Sequence, residues 1–201
     1  MSDEIERSVR TPADAGDINA AVTAAIHGYG DEVYSFLVSR LRDDDVAADV
    51  FSQTCSDLLA SMPTFQWRCT LRTWFYRLAR SAAARHLLSP ANRRDRRVAL
   101  SDVSEAMDRV RSRTEMHLRS EVKDGLRKLR EQLDPDQQQL LLLRIDRGLG
   151  WNEIAEIVED VDDAATLTRA AARLRQQFQS LKNRLRELAT AEGLLATDSD
   201  E

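Results

Sequence analysis

The sequence predicts an all-α protein made of two small helical domains joined by a linker, and three observations carry that expectation. Seven glycines and four prolines are few for 201 residues, while long runs rich in alanine, leucine and arginine favour helix. Apolar residues recur at three-four spacing, and the alternation of β-branched residues that marks strands is nearly absent. Between residues 89 and 113 that pattern lapses, charges dominate, and Pro90 stops the preceding helix. The expected division is a four-helix bundle over 1–90, a linker over 91–113 with room for a short helix, a helix-turn-helix domain over 114–195 and a disordered tail over 196–201.

Taken in order, Asp17 is a natural N-cap for a first helix carrying Ile18, Val22, Ala25 and Ile26, which Gly28-Tyr29-Gly30 is expected to interrupt. Asp31 then caps a second helix with Val33, Phe36, Leu37 and Leu41 at helical spacing. The run Asp43-Asp44-Asp45 caps a third, extending to about Ser61, and Pro63 marks the loop beyond it. A fourth helix is expected from about Thr70 to Leu88. At about 100° per residue, Leu71, Trp74, Phe75, Leu78 and Ala82 share a sector of about 100° and should face the core. Arg72, Tyr76 and Arg80 fall on the opposite side, flanked by Arg77, so Tyr76 is expected to stand in a ladder of outward arginines.

Beyond the linker, Leu118, Val122, Leu126, Leu129 and Leu133 keep an amphipathic rhythm. Asp134-Pro135 supplies a cap followed by proline at the first helical position, and Gly148 a left-handed stop. A short helix, WNEIAEIV, precedes the acidic stretch Glu159 to Asp163. The last helix runs from about Ala165 or Thr168 to Ala191, with Leu167, Leu174, Phe178, Leu181, Leu185 and Leu188 on one side.

Charge separates sharply along the chain. The net charge is −5, yet residues 66–97 hold nine basic side chains and one acidic, against four basic and twelve acidic in residues 1–65. Such a split points to polyanion-binding strips on a chain whose other faces repel polyanions. From 169 to 186 the last helix has six basic residues and no acidic one. Gln176, Gln177, Gln179, Ser180 and Asn183 are interleaved with them, the side-chain set that reads base edges in a major groove. A coiled-coil helix shares the leucine rhythm but mixes charge signs along its flanks. In the first domain Tyr76 among arginines, and Phe65 and Trp67 in the loop before the helix, are candidates to stack on unpaired bases, or else to close the core.

Other chemistry is excluded or unsupported. His27, His86 and His117 have no nucleophile-and-carboxylate arrangement, no glycine-rich phosphate loop exists, and Asp43 to Asp45 lack the rest of a calcium loop. No enzyme activity, cofactor or metal is expected. Cys55 and Cys69 fit reduced, partly buried thiols. With no apolar run of membrane-spanning length and no signal-peptide pattern, the chain is expected in the cytoplasm.

The stretches LRTWFYRLARSAAARHL and LDPDQQQLLLLRIDRGLGWNEIAEIV resemble, in order and separation, the second and fourth regions of the extracytoplasmic-function sigma factors of bacterial RNA polymerase. That resemblance implies a promoter-specificity subunit whose partners are core polymerase, through the beta-prime clamp helices and beta flap, and promoter DNA, with an anti-sigma factor as a further partner. It implies that Asp49 to Leu59 docks on the clamp, with Asp45, Asp49 and Gln53 as contacts, although the family's glutamine-glutamate-threonine run is here Ser52-Gln53-Thr54. The loop from Ser61 to Thr70, including Trp67, would receive a flipped base. Arg72, Tyr76, Arg77 and Arg80 would hold and melt the minus-ten element. Arg173, Arg175, Gln176, Gln177, Gln179 and Ser180 would read the minus-thirty-five element. Glu159 to Thr168 adds residues to the family's short turn, so that either the recognition helix extends backwards from Arg169 or an acidic loop projects beside the DNA. The alternative from another class is a stand-alone helix-turn-helix regulator with a sensing or dimerising bundle; a structural helical adaptor is a third.

Overall fold

A computed structural model describes residues 2–88, 106, 107, 109, 110, 124–159 and 163–192, with no strand among them. The chain divides into two units, Met1–Arg119 and Ser120–Glu201. Most of the expected linker 91–113, Leu118, Val122, Asp160, Asp162 and the tail 196–201 lie outside the described residues.

The first unit is built on α2, Ile18–Leu41. Asp17 caps it as expected, accepting a hydrogen bond from Ala20 N at 3.0 Å. The expected interruption at Gly28-Tyr29-Gly30 does not occur, because those glycines serve packing. A Cβ at Gly28 would sit 2.3 Å from Ile5 Cγ2, and one at Gly30 would sit 2.8 Å from Val110 Cγ2. Ile5 belongs to α1, Ser2–Asp14, a helix the pattern reading missed: only Ile5 and Val9, one turn apart, mark its inner face. Val110 lies in the stretch expected as a linker with room for a short helix; Ala106, Met107 and Val110 are helical, and they are buried rather than free of the core. Close approach on two sides of α2 demands the missing side chains, and the helical backbone tolerates them at about 1 kcal/mol each relative to alanine.

Helix α3, Asp44–Ser61, is capped by Asp43 Oδ1, which accepts from Val46 N at 2.9 Å. A 3-10 turn, Met62–Thr64, follows it. Helix α4, Leu71–Leu88, then packs against both α2 and α3. Phe36 of α2 meets Tyr76 edge-on at 5.4 Å, and Phe51 of α3 lies 6.3 Å from Phe75.

In the second unit, α5 spans Asp124–Glu131 and α6 spans Pro135–Leu141. The Asp134–Pro135 start is a full capping box: Gln137 N donates to Asp134 Oδ1 at 2.8 Å and Asp134 N to Gln137 Oε1 at 3.4 Å. A π turn, Leu142–Asp146, carries α6 on, and Gly148 stops it at φ +65°. Arg130 of α5 grips Asp146 through both terminal nitrogens at 2.8 and 2.9 Å. Helices α7, Trp151–Glu159, and α8, Ala164–Ala191, form the pair that ends the unit. The last helix does extend backwards: α8 begins five residues before Arg169, capped by Asp163, whose Oδ1 accepts from Thr166 N at 2.8 Å, while the acidic-loop alternative rests on residues 160–162, which lie outside the described residues. That hydrogen bond also holds the Asp163 carboxyl below the usual range.

Candidate nucleic-acid interface

The loop between α3 and α4 is where the first unit gathers aromatic rings. Trp67 has φ +53°, a left-handed backbone that bulky residues rarely adopt, and it lies against Phe65 at 4.9 Å. Phe65 in turn stacks on Trp74 of α4 at 5.6 Å and 23°. Arginines close both ends, Arg10 of α1 over Trp67 at 5.2 Å and Arg77 of α4 over Trp74 at 5.4 Å. All three rings are half-buried, so the row is part platform and part core lid. Trp74, expected in the core, is held at this surface by Nε1 donating to Ser61 Oγ at 3.4 Å. Arg10 was not expected here at all. An open cleft of about 320 Å³ lined by Asp3, Glu6, Arg7, Arg10 and Trp67 adjoins the outer end of the row.

The start of α4 is held from two directions. Thr70 Oγ1 caps it by accepting from Thr73 N at 3.1 Å. The Glu6 carboxylate of α1 accepts from Leu71 N at 3.0 Å and from Arg72 N at 3.2 Å, a favourable place for an anion at a helix N-terminus. Tyr29 of α2 donates its hydroxyl to the same carboxylate at 3.0 Å. Burial beside that acid pushes the Tyr29 phenol up to about 12.

Tyr76 does not stand in an outward ladder. It is fully buried against Phe36. Helix α4 lies between two helices, so its buried apolar positions Leu71, Ala82, Phe75, Ala79, Ala83 and Tyr76 sweep about 140° at 100° per residue, wider than the roughly 100° of an ordinary amphipathic stripe, and Thr73, buried as well, lies beyond them. Arg72 falls inside that sweep, and Glu32 of α2 meets it, with Nε to Oε1 at 2.6 Å and Nη2 to Oε2 at 2.7 Å. Both side chains are less than a fifth exposed, so Arg72 is a strut between α4 and α2. Arg77 and Arg80 are half-buried.

On α3, Asp45 and Asp49 are exposed one turn apart and Gln53 is half-buried beyond them. Gln53 donates to Asp57 at 2.8 Å, and Asp57 pairs with Arg85 of α4, which makes this ridge polar and acidic at its free end.

The second unit keeps its expected surface open. Leu174, Phe178 and Leu181 of α8 are buried, whereas Arg173, Arg175, Gln176, Gln177, Gln179 and Ser180 are all exposed on the other side. Trp151, at the start of α7, packs edge-on against Phe178 at 5.5 Å. Over its ring lie Arg144 at 4.8 Å and Arg175 at 5.9 Å. Glu159, the last residue of α7, takes a hydrogen bond from Arg173 Nη2, a contact between helices that sequence spacing did not signal.

Among the described residues no cluster of His, Cys, Asp and Glu is placed to hold a metal, and no helix is long and apolar enough to cross a membrane. Cys55 is buried and Cys69 half-buried. Compared with known proteins, residues 25–94 match the family model of sigma-70 region 2. No curated protein and no solved structure matches the chain. The matched residues run from within α2 through the aromatic loop and past the end of α4, and they support a sigma-70 family member.

Proposed function

We propose that the chain is an RNA polymerase sigma factor of the extracytoplasmic-function type, a non-enzymatic subunit that brings core polymerase to particular promoters. The observation that carries this reading is the sigma-70 region 2 match over residues 25–94. It is supported by the exposed cationic and amide-bearing side of α8 in a second helical unit. The acidic ridge of α3, with Asp45, Asp49 and Gln53, docks on the beta-prime clamp helices, and the second unit meets the beta flap. Helix α8 enters the major groove at the minus-thirty-five element, where arginine and glutamine match guanine and adenine edges. The row Trp67, Phe65 and Trp74 offers π-faces to unpaired bases of the minus-ten element, with Arg10 and Arg77 near their phosphates. Tyr76 and Arg72 act by holding α4 in place and touch no DNA.

Pull-down with core polymerase and run-off transcription test the reading. Retention on core together with initiation from a selected promoter is the expected result, and a chain that never binds core ends the proposal. The burial of Tyr76 favours a second reading, because a stand-alone helix-turn-helix regulator has no need of an aromatic ladder in its first domain. That regulator predicts tight duplex binding without polymerase and a dyad-symmetric site.

A further inference from the structure

Arg173 and Arg175 stand two residues apart on the exposed side of α8, and their own unit holds them in chemically different ways. Arg175 lies over the ring of Trp151. A ring face engages the flat of a guanidinium and leaves its in-plane N–H donors available. Arg173 gives a donor at its tip to the carboxylate of Glu159. The two partners differ in reach, since the Arg173 side chain is 55% exposed and that of Glu159 only 21%. The acid is set back against the helices, and the guanidinium projects past it. A guanidinium carries five donors in a rigid fork, so one engaged Nη2 leaves the others to face outward in a fixed plane.

That arrangement has two consequences at a DNA surface. Restraining the fork in advance lowers the ordering cost of a bidentate contact to a base edge, but only where the base presents two acceptors in that plane. The carboxylate charge meanwhile opposes phosphates whatever the sequence, which removes affinity that carries no sequence information. Both effects act in the same direction. Resting on the sigma-factor reading, we infer that Glu159 is a specificity-determining residue, a positioning group that aims Arg173 at a guanine-type acceptor pair and discourages binding where Arg173 finds only phosphate.

The test uses the full chain reconstituted with core polymerase and a pool of promoter duplexes with the upstream element randomised. Glu159→Ala is expected to lower the preference at one base pair about tenfold, while affinity for a duplex lacking the element rises. A lost structural prop would instead lower both. Glu159→Gln, whose amide oxygen still accepts one hydrogen bond, should fall between wild type and Glu159→Ala. It also decides the matter if a lowered melting temperature shows the alanine variant to be poorly folded. In the Arg173→Ala background, removing Glu159 should change the preference no further. An unchanged preference in both Glu159 variants, or parallel losses on all duplexes, overturns the inference. Wild-type holoenzyme with no preference anywhere in the element overturns the sigma-factor reading itself, which a preference that merely ignores Glu159 does not.

Discussion

Helices α4 and α8 show the same sequence signature, arginines at helical spacing opposite an apolar stripe, and the fold treats them differently. On α8 the polar side faces out along Arg173, Gln176, Gln177 and Ser180. On α4 two of the residues expected on that side are taken inward, Tyr76 against Phe36 and Arg72 onto Glu32. The difference lies in how the neighbours are arranged: α5, α6 and α7 all meet α8 over one sector of about 100° at 100° per residue, marked by Ala170, Leu174, Phe178 and Leu181. Periodicity gives the phase of a stripe, whereas its width depends on the arc over which neighbours press, and α2 and α3 press α4 over a wider arc.

The sharpest way to break this comparison is a pair of alanine substitutions. Tyr76→Ala removes a buried ring and is expected to cost about 3–5 kcal/mol of folding stability, as large-to-small core changes do. Gln176→Ala on exposed α8 should change it by less than about 0.5 kcal/mol. Urea titration of both variants checks this; a Tyr76→Ala protein as stable as wild type, yet defective only in promoter opening, would restore the outward ladder.

Next in size is Gly28→Ala, where intrinsic helix propensity and packing predict opposite signs. On propensity alone alanine stabilises a helix by about 1 kcal/mol. The approach of Ile5 instead predicts a loss of about 1–3 kcal/mol from overpacking. Thermal melts decide the sign, and Ile5→Ala in the same chain should recover part of the loss. Trp67→Ala should leave the fold closer to intact than Tyr76→Ala and weaken strand capture by about 1–3 kcal/mol per stacked base. Open-complex lifetime should shorten while closed-complex affinity holds. Equal effects on both steps would make the ring a lid over the core and nothing more.

The smallest effect is in alkali. Because the folded state raises the Tyr29 phenol from 10.0 to about 12, the unfolded chain ionises first. Its contribution is therefore complete below about pH 10 and is lost as pH rises towards about 12. Denaturation midpoints across that window should fall more steeply for wild type than for Tyr29→Phe.

What could be read from the sequence was mostly what is decided locally. Asp17, Asp43 and Asp134 each cap the helix they precede because an acceptor three residues before a bare N–H is a short-range arrangement. The open side of α8 was legible as well, since one apolar stripe there has one set of partners. Gly28 and Gly30 were misread because a glycine looks the same whether it breaks a helix or admits a neighbour, and the neighbours, Ile5 and Val110, are distant in sequence. Trp74 was assigned to the core by its angle, although its ring belongs with Phe65 and Trp67. Glu159 belonged to an acidic run on paper and to Arg173 in space.

The carboxylate of Glu6 joins three pieces of chain, receiving α4's first two described amides and the Tyr29 hydroxyl. Helix α1, which supplies it, lies ahead of the residues that match the family model. The start of α4, next to the loop carrying Trp67, is therefore tethered to a helix outside the matched stretch. A change that unwinds α1 acts on the rings of Phe65, Trp67 and Trp74 as directly as a substitution among them, and an excised fragment starting at residue 25 has lost one of its own fastenings.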